Sequence, residues 1–269
     1  MDGSAKESVA IIHHPDVQRM LMTMRALIEG ARAMALVGAA AYDNAHHNPN
    51  PEEAQKAQAF YEFLVPLIKG FSTENSVEVT SLGVQVHGGM GFIEETGAAQ
   101  YYRDSRILPI YEGTTAIQAN DLVGRKTARD GGAMAKAVAA QIAAVEAQLT
   151  ARDSAAGKKL ATQLKAARES FLQVVDFVLA NVKSNPNAVF AGSVPYLMLT
   201  ANLVAGWQMG RSLIVAEDKL AAGEEAAFMT AKIATARFYG DHILARVASL
   251  RDTILHGGES VTAMPLEAF

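Results

Sequence analysis

The residues whose types and spacing could do chemistry lie between Gln85 and Lys126. Gln85-Val86-His87-Gly88-Gly89-Met90-Gly91-Phe92 sets three glycines beside polar groups, so the backbone can turn sharply and approach a ligand with no Cβ in the way. Further on, Ile110-Tyr111-Glu112-Gly113-Thr114-Thr115 puts one carboxylate, Glu112, just before a helix start. Two residues compete to cap that helix. Thr115 and Gln118 have the S/T-x-x-E/Q spacing of a capping box, and Thr114 is the rival. Taken alone, Glu112 needs no more explanation than a carboxylate at the positive end of a helix, worth ~0.3–1 kcal/mol. Arg103-Asp104 reads as an Arg–carboxylate network holding the turn before Arg106 and Ile107. The His13-His14 and His46-His47 pairs point to different sides of a helix, and no carboxylate completes an H-E-x-x-H spacing, so loop or cap roles are expected and no metal.

The elements that must position these residues are helices. His14-Pro15-Asp16 opens the first, with proline at the first helical position and an acid in the first turn. Val17, Met20, Leu21, Met24, Leu27 and Ile28 then recur at helical spacing, and the helix is expected to reach about Ala45 before Asn48-Pro49-Asn50-Pro51 stops it. Glu52-Glu53 starts a second helix that carries Phe60, Leu64, Leu67, Ile68 and Phe71 and runs to about Leu82. Pro66 inside it removes a hydrogen bond. A helix from Thr115 runs toward Arg129, and Asp130-Gly131-Gly132 is the best boundary in the chain. Four more helical stripes follow, the last starting near Glu224, and the tail from Gly257 looks irregular. Strand signals are scarce. The expectation is an all-α fold of two successive helical bundles, residues 1–129 and 130–269.

The totals exclude several classes of function. With 269 residues, half of them hydrophobic, the chain can build a substantial core. A formal charge of −4 gives no electrostatic footprint for nucleic acid. The absence of cysteine rules out a disulfide framework and fits a reducing cytoplasm. No apolar run approaches the roughly 18–20 residues a membrane span requires, and Met1-Asp2-Gly3-Ser4 lacks the features of a secretory signal.

Three motifs in register, Gln85-to-Phe92, Tyr102-Arg103-Asp104 and Ile110-to-Thr114, resemble the C-terminal helical region of the acyl-CoA dehydrogenases. Ile93-Glu94-Glu95-Thr96-Gly97-Ala98-Ala99-Gln100 between the first two is similar to the long bacterial subfamily with an extra C-terminal helical domain. The resemblance implies a four-helix-bundle-type domain over 1–129 and an additional helical domain over 130–269. It implies FAD as cofactor, oxidation of an acyl-CoA to the 2,3-enoyl-CoA in fatty acid β-oxidation, electron-transfer flavoprotein as electron acceptor, and a cytoplasmic homodimer. By the same resemblance Glu112 is the base that takes the α-proton, with its own backbone N–H helping to hold the thioester oxygen. Tyr111 and Gly113 line the substrate site. Gln85, Gly88, Gly89 and Thr114 contact FAD, the first three reaching the adenine and diphosphate end in an adjoining subunit.

The resemblance is specific over about Ile11 to Arg129 and general beyond it. At Pro15 the chain departs from a glutamine found in many members. It lacks the family's N-terminal helical domain and the β-domain that holds the flavin ring, so it is expected to be the C-terminal part of a longer enzyme. Two other readings stay open: a helical assembly module without catalysis, against which Glu112 argues, and a flavin oxidase on the same fold.

Overall fold

The computed structural model describes residues 7–269, and all their regular structure is helical, with no strand among the described residues. Met1-Asp2-Gly3-Ser4 lies outside them. In chain order come α1 (Pro15–His47), α2 (Pro51–Val86), α3 (Gly89–Phe92), α4 (Ala98–Ser105), α5 (Thr115–Val123), α6 (Ala133–Ala151), α7 (Ala155–Asn181), α8 (Pro186–Ala191), α9 (Ser193–Ala221), α10 (Ala226–Phe238), α11 (Arg246–His256) and α12 (Gly258–Val261). The all-α expectation holds.

Helices α1 and α2 form a hairpin of two long arms. Pro15 stands at the start of α1, and Asn50 caps α2 by accepting the Glu52 and Glu53 N–H groups at 3.0 and 3.4 Å. Pro66 is buried in α2, and the helix continues across it to Val86, four residues past the expected end. The boundary at Asp130-Gly131-Gly132 is a turn in which both glycines take positive φ. Asp130 accepts the Gly132 and Met134 N–H groups at 2.9 Å each and so starts α6. The stripe expected to begin near Glu224 is α10 and α11, joined by a π-helical turn at Tyr239–Leu244. A second π turn, Gly124–Ala128, ends the α5 segment.

The organising element is α9. Every residue from Leu199 to Gly210 is buried, which makes this a central helix enclosed on all sides rather than a surface helix with one apolar stripe. Toward the first half of the chain, Trp207 meets Phe60 edge-on with ring centroids 6.3 Å apart, and Tyr196 shares a buried hydroxyl bond with Thr127 at 3.0 Å. Toward the second half, Tyr196 stacks on Phe171, and the Tyr239 hydroxyl donates to the Asn202 carbonyl at 3.1 Å. One apolar core therefore runs from Leu27 and Leu64 through α9 to Leu164 and Val247. Two ionic clasps join the halves outside it. Arg246 grips Glu78 in a two-pronged pair at 2.7 and 2.9 Å, and Lys232 meets Glu29 at 2.7 Å.

Candidate active site

The carboxylate found in the sequence sits on a loop, 106–114, that doubles back on itself. Tyr111 donates to the Ile107 carbonyl at 3.1 Å and Thr115 to the Pro109 carbonyl at 3.1 Å. Helix α4 delivers this loop antiparallel to α2: Ser105 meets Thr80 at 2.9 Å, and from there the chain descends to the level of Lys69. The Lys69 ammonium donates to the carbonyls of Leu108, Tyr111 and Gly113 at 3.2, 2.8 and 2.7 Å, and lies 5.4 Å from the centre of the Tyr111 ring. One turn further along α2, Glu74 accepts the Thr115 hydroxyl at 2.5 Å.

That last bond decides the competition for the cap. With the Thr115 hydroxyl engaged by Glu74, Thr114 caps α5 and accepts the Ile117 N–H at 3.3 Å. Glu112 itself is exposed and takes φ 49°, a left-handed conformation costing a non-glycine residue ~1–2 kcal/mol. Gly113 follows at φ 92°, and a Cβ there would stand 2.8 Å from the Gln118 amide. Such strain persists where the surroundings over-determine it, and here the surroundings are Lys69 and α5.

The glycine turn lies at the other end of α2. Gly88 takes φ 61° and ψ −145°, and added Cβ atoms at Gly88 and Gly89 would meet nothing. Gln85 is exposed beside them. This is an open polar ledge where a ligand could lie against bare backbone. Gly91 differs from the expectation that all three glycines face a ligand. It is buried, and a Cβ there would collide with the Val84 carbonyl at 2.2 Å, so it is small in order to pack α3 against α2. Lys69 and Gln85 are sixteen residues apart on one helix, a rise of ~24 Å at 1.5 Å per residue. The structure therefore brings Tyr111, Glu112, Gly113 and Thr114 together and holds Gln85, Gly88 and Gly89 apart from them.

Other sequence candidates settle into structural roles. Arg103 reaches back to Glu94 at 3.1 Å and lies 3.7 Å from the Asp104 carboxylate, and all three side chains are well exposed, so this network adds little. His87 donates from Nδ1 to the Gly83 carbonyl at 2.8 Å, and His46 does the same to Tyr42. No group of three or more possible metal ligands occurs among the described residues. Around the loop and the ledge lies an exposed apolar surface, with Phe92 82% and Tyr101 74% accessible beside Met90, Ile107 and Ile110.

The site residues that sequence reasoning missed are Lys69 and Glu74. They lie about forty residues from the groups they hold, and the hydrogen bonds of Lys69 all end on main-chain oxygens, which leave no trace in side-chain identity.

The helical body, the strained carboxylate loop and the remote glycine ledge agree with the resemblance to the C-terminal helical domains of the acyl-CoA dehydrogenases. Residues 4–127 match the model of the acyl-CoA dehydrogenase C-terminal domain, and residues 133–265 match that of the acetyl-CoA dehydrogenase C-terminal-like region. A 3-methylmercaptopropionyl-CoA dehydrogenase from Ruegeria pomeroyi is 53% identical over 266 residues, 99% of this chain and 45% of that protein. A broad-specificity linear acyl-CoA dehydrogenase from Mycobacterium tuberculosis is 33% identical, over 94% of this chain and 43% of that protein. In fold, the chain superimposes with a TM-score of 0.71 on an FAD-complexed acyl-CoA dehydrogenase from Bacillus anthracis, at 19% identity over 95% of this chain and 43% of the other. The chain belongs to the acyl-CoA dehydrogenase family. It spans less than half the length of the curated relatives it matches.

No helix among the described residues is long and apolar enough to cross a membrane.

Proposed function

We propose that this chain is the C-terminal part of an FAD-dependent acyl-CoA dehydrogenase in which Glu112 removes the α-proton of an acyl-CoA thioester as a hydride leaves the β-carbon, giving the 2,3-enoyl-CoA. The observation that carries the reading is Glu112 itself: an exposed carboxylate in a strained left-handed turn, with a backbone N–H that donates to no backbone carbonyl among the described residues. An α-proton is weakly acidic, so a base must be held within reach and the thioester oxygen must meet a donor as charge develops on it. Carboxylate and N–H on one residue supply both. Tyr111 and Gly113, on either side, border the acyl group. FAD, when bound, supplies the hydride acceptor.

Thr114 belongs to the flavin side of the same loop. Gln85, Gly88 and Gly89 fit the adenine and diphosphate end of FAD, since bare backbone and a free amide suit phosphate oxygens and base edges. Their distance from Glu112 along α2 favours service to the cofactor of an adjoining subunit, hence a homodimer. We further infer two domains, 1–129 and 130–269, electron-transfer flavoprotein as acceptor, and a place in bacterial cytoplasmic fatty acid β-oxidation. The name of the Ruegeria pomeroyi relative makes a short thioether acyl-CoA the first substrate to assay, beside butyryl-CoA and longer linear chains.

Glu112→Gln in the full-length enzyme keeps the shape and removes the proton acceptor. It should leave FAD bound and slow acyl-CoA-dependent flavin reduction ~10²–10⁴-fold. A variant within a few-fold of wild type would remove Glu112 from the mechanism.

A further inference from the structure

The three hydrogen bonds of Lys69 end on main-chain carbonyls, and two of those carbonyls flank Glu112. The Tyr111 carbonyl, 2.8 Å from the ammonium, belongs to the same peptide group as the Glu112 N–H. The Gly113 carbonyl, at 2.7 Å, belongs to the peptide on the far side of Gly113. The ammonium thus fixes the chain before and after Glu112, at the one place in the loop where a non-glycine residue holds a positive φ. Three donors on three acceptors use the full capacity of a lysine.

We propose that Lys69 is a positioning residue for the base: it locks the left-handed turn that aims the Glu112 carboxylate, and it polarises the Tyr111–Glu112 peptide so that the Glu112 N–H becomes a stronger donor to the thioester oxygen. This rests on the reading of Glu112 given above. The physical step is short. A charge-assisted bond to a carbonyl is roughly twice as strong as a neutral one. Hydrogen bonds in series polarise one another by ~10–30% per bond. Electron density drawn toward the Tyr111 oxygen leaves the nitrogen of the same peptide more positive. The Glu112 N–H donates to no backbone carbonyl among the described residues, so the gain can pass to a bound ligand. The Glu74–Thr115 bond anchors the downstream end of the loop without touching either peptide of Glu112, so Lys69 alone combines anchoring with polarisation.

The test uses the full-length enzyme with FAD bound and compares wild type, Lys69→Met, Lys69→Arg and Glu112→Gln. Methionine keeps the apolar stem and loses every donor. Two quantities are read: the rate of flavin reduction by acyl-CoA, with its kcat and KM separated, and the carbonyl stretch of a bound ¹³C-labelled thioester by difference infrared spectroscopy. Lys69→Met should slow kcat ~10–100-fold, the range found when a group that supports a reacting residue from behind is lost. The loss should fall mainly on kcat, with KM rising by a smaller factor as the ground-state bond to the thioester oxygen weakens, FAD content should stay at wild type, and the thioester stretch should move to higher frequency. Lys69→Arg, which keeps the charge but offers a planar fork, should recover part of both signals. An unshifted stretch in Lys69→Met, or a kcat within threefold of wild type, would overturn the proposal. Should Lys69→Met fail to fold, Lys69→Gln, which keeps an amide donor and removes the charge, carries the test through the same stretch, and an unshifted band there overturns the proposal as well. Glu112→Gln separates the two layers. If it stays active, the base assignment fails; if it is inactive while Lys69→Met is normal, only the role of Lys69 fails.

Discussion

Leu203→Ala in the middle of α9 should weaken both halves of the molecule together. Leu203 is fully buried and belongs to the single core that joins the α1–α2 hairpin to α7 and α11. The substitution deletes three carbons, ~2.4 kcal/mol at ~0.8 kcal/mol per buried methylene, and leaves a cavity that brings the loss to ~2.5–5 kcal/mol. For a chain of this size each kcal/mol lowers the melting temperature by ~2–4 °C, so the expected drop is roughly 5–20 °C. Because Tyr196 and Trp207 of the same helix contact Thr127 and Phe60 on one side and Phe171 on the other, the loss should appear in one transition of unchanged steepness. Urea unfolding followed in parallel by far-UV circular dichroism and by fluorescence of the lone Trp207 gives the readout. Two separated transitions, only one of them shifted by the substitution, would refute the claim that α9 couples the halves.

Four further outcomes follow from the geometry. Gly113→Ala forces an L side chain to φ 92° beside Gln118, so it should cost ~1–2 kcal/mol and slow acyl-CoA turnover in the full-length enzyme; a wild-type melting curve and rate would contradict the strain. The isolated chain should fold yet bind FAD poorly and self-associate through the apolar surface around Phe92 and Tyr101, which FAD titration and sedimentation can test. Burial pushes the Tyr196 and Tyr239 phenols above their ordinary value of 10.0, and a raised folded-state value means stability complete below about pH 10 and lost above it. Replacing both by Phe should flatten that alkaline decline, and an unchanged slope would show that other groups govern it. Glu146→Ala strands Arg168, which now holds it at 2.8 and 2.9 Å in a part-buried pair, and should destabilise by ~1–3 kcal/mol in thermal melts, more than a surface pair would.

Local chemistry was the legible part of this sequence. Pro15 and Asn50 start helices where their backbone preferences demand, and Asp130-Gly131-Gly132 makes the turn its composition announces. The strained residue in the site was found because three short motifs stand in register around it. What stayed hidden depends on partners distant in sequence. Leu199, Leu203, Trp207 and Leu213 look like one stripe of a surface helix, yet Ala201, Asn202, Ala205 and Gln208 on the other faces are equally buried. Periodicity reports contrast between faces, and a helix packed all round with small and polar residues offers little contrast. Thr114 and Thr115 could not be ranked as caps because the deciding carboxylate, Glu74, is forty-one residues upstream.

The enclosure of α9 also sets a clock for biosynthesis. When Ala128 has emerged from a ribosome, the faces of Phe60 and Thr127 that Trp207 and Tyr196 will cover have no partner yet. Ninety-three more residues must be added before Ala221 completes the central helix, which takes on the order of 5–20 s at bacterial and eukaryotic translation speeds. For that interval the long hairpin of α1 and α2 travels with an open apolar groove. Apolar surface left open during elongation is prone to aggregate, so synonymous codon changes between Gly131 and Ala221 that slow translation should raise the aggregated fraction without altering the finished protein.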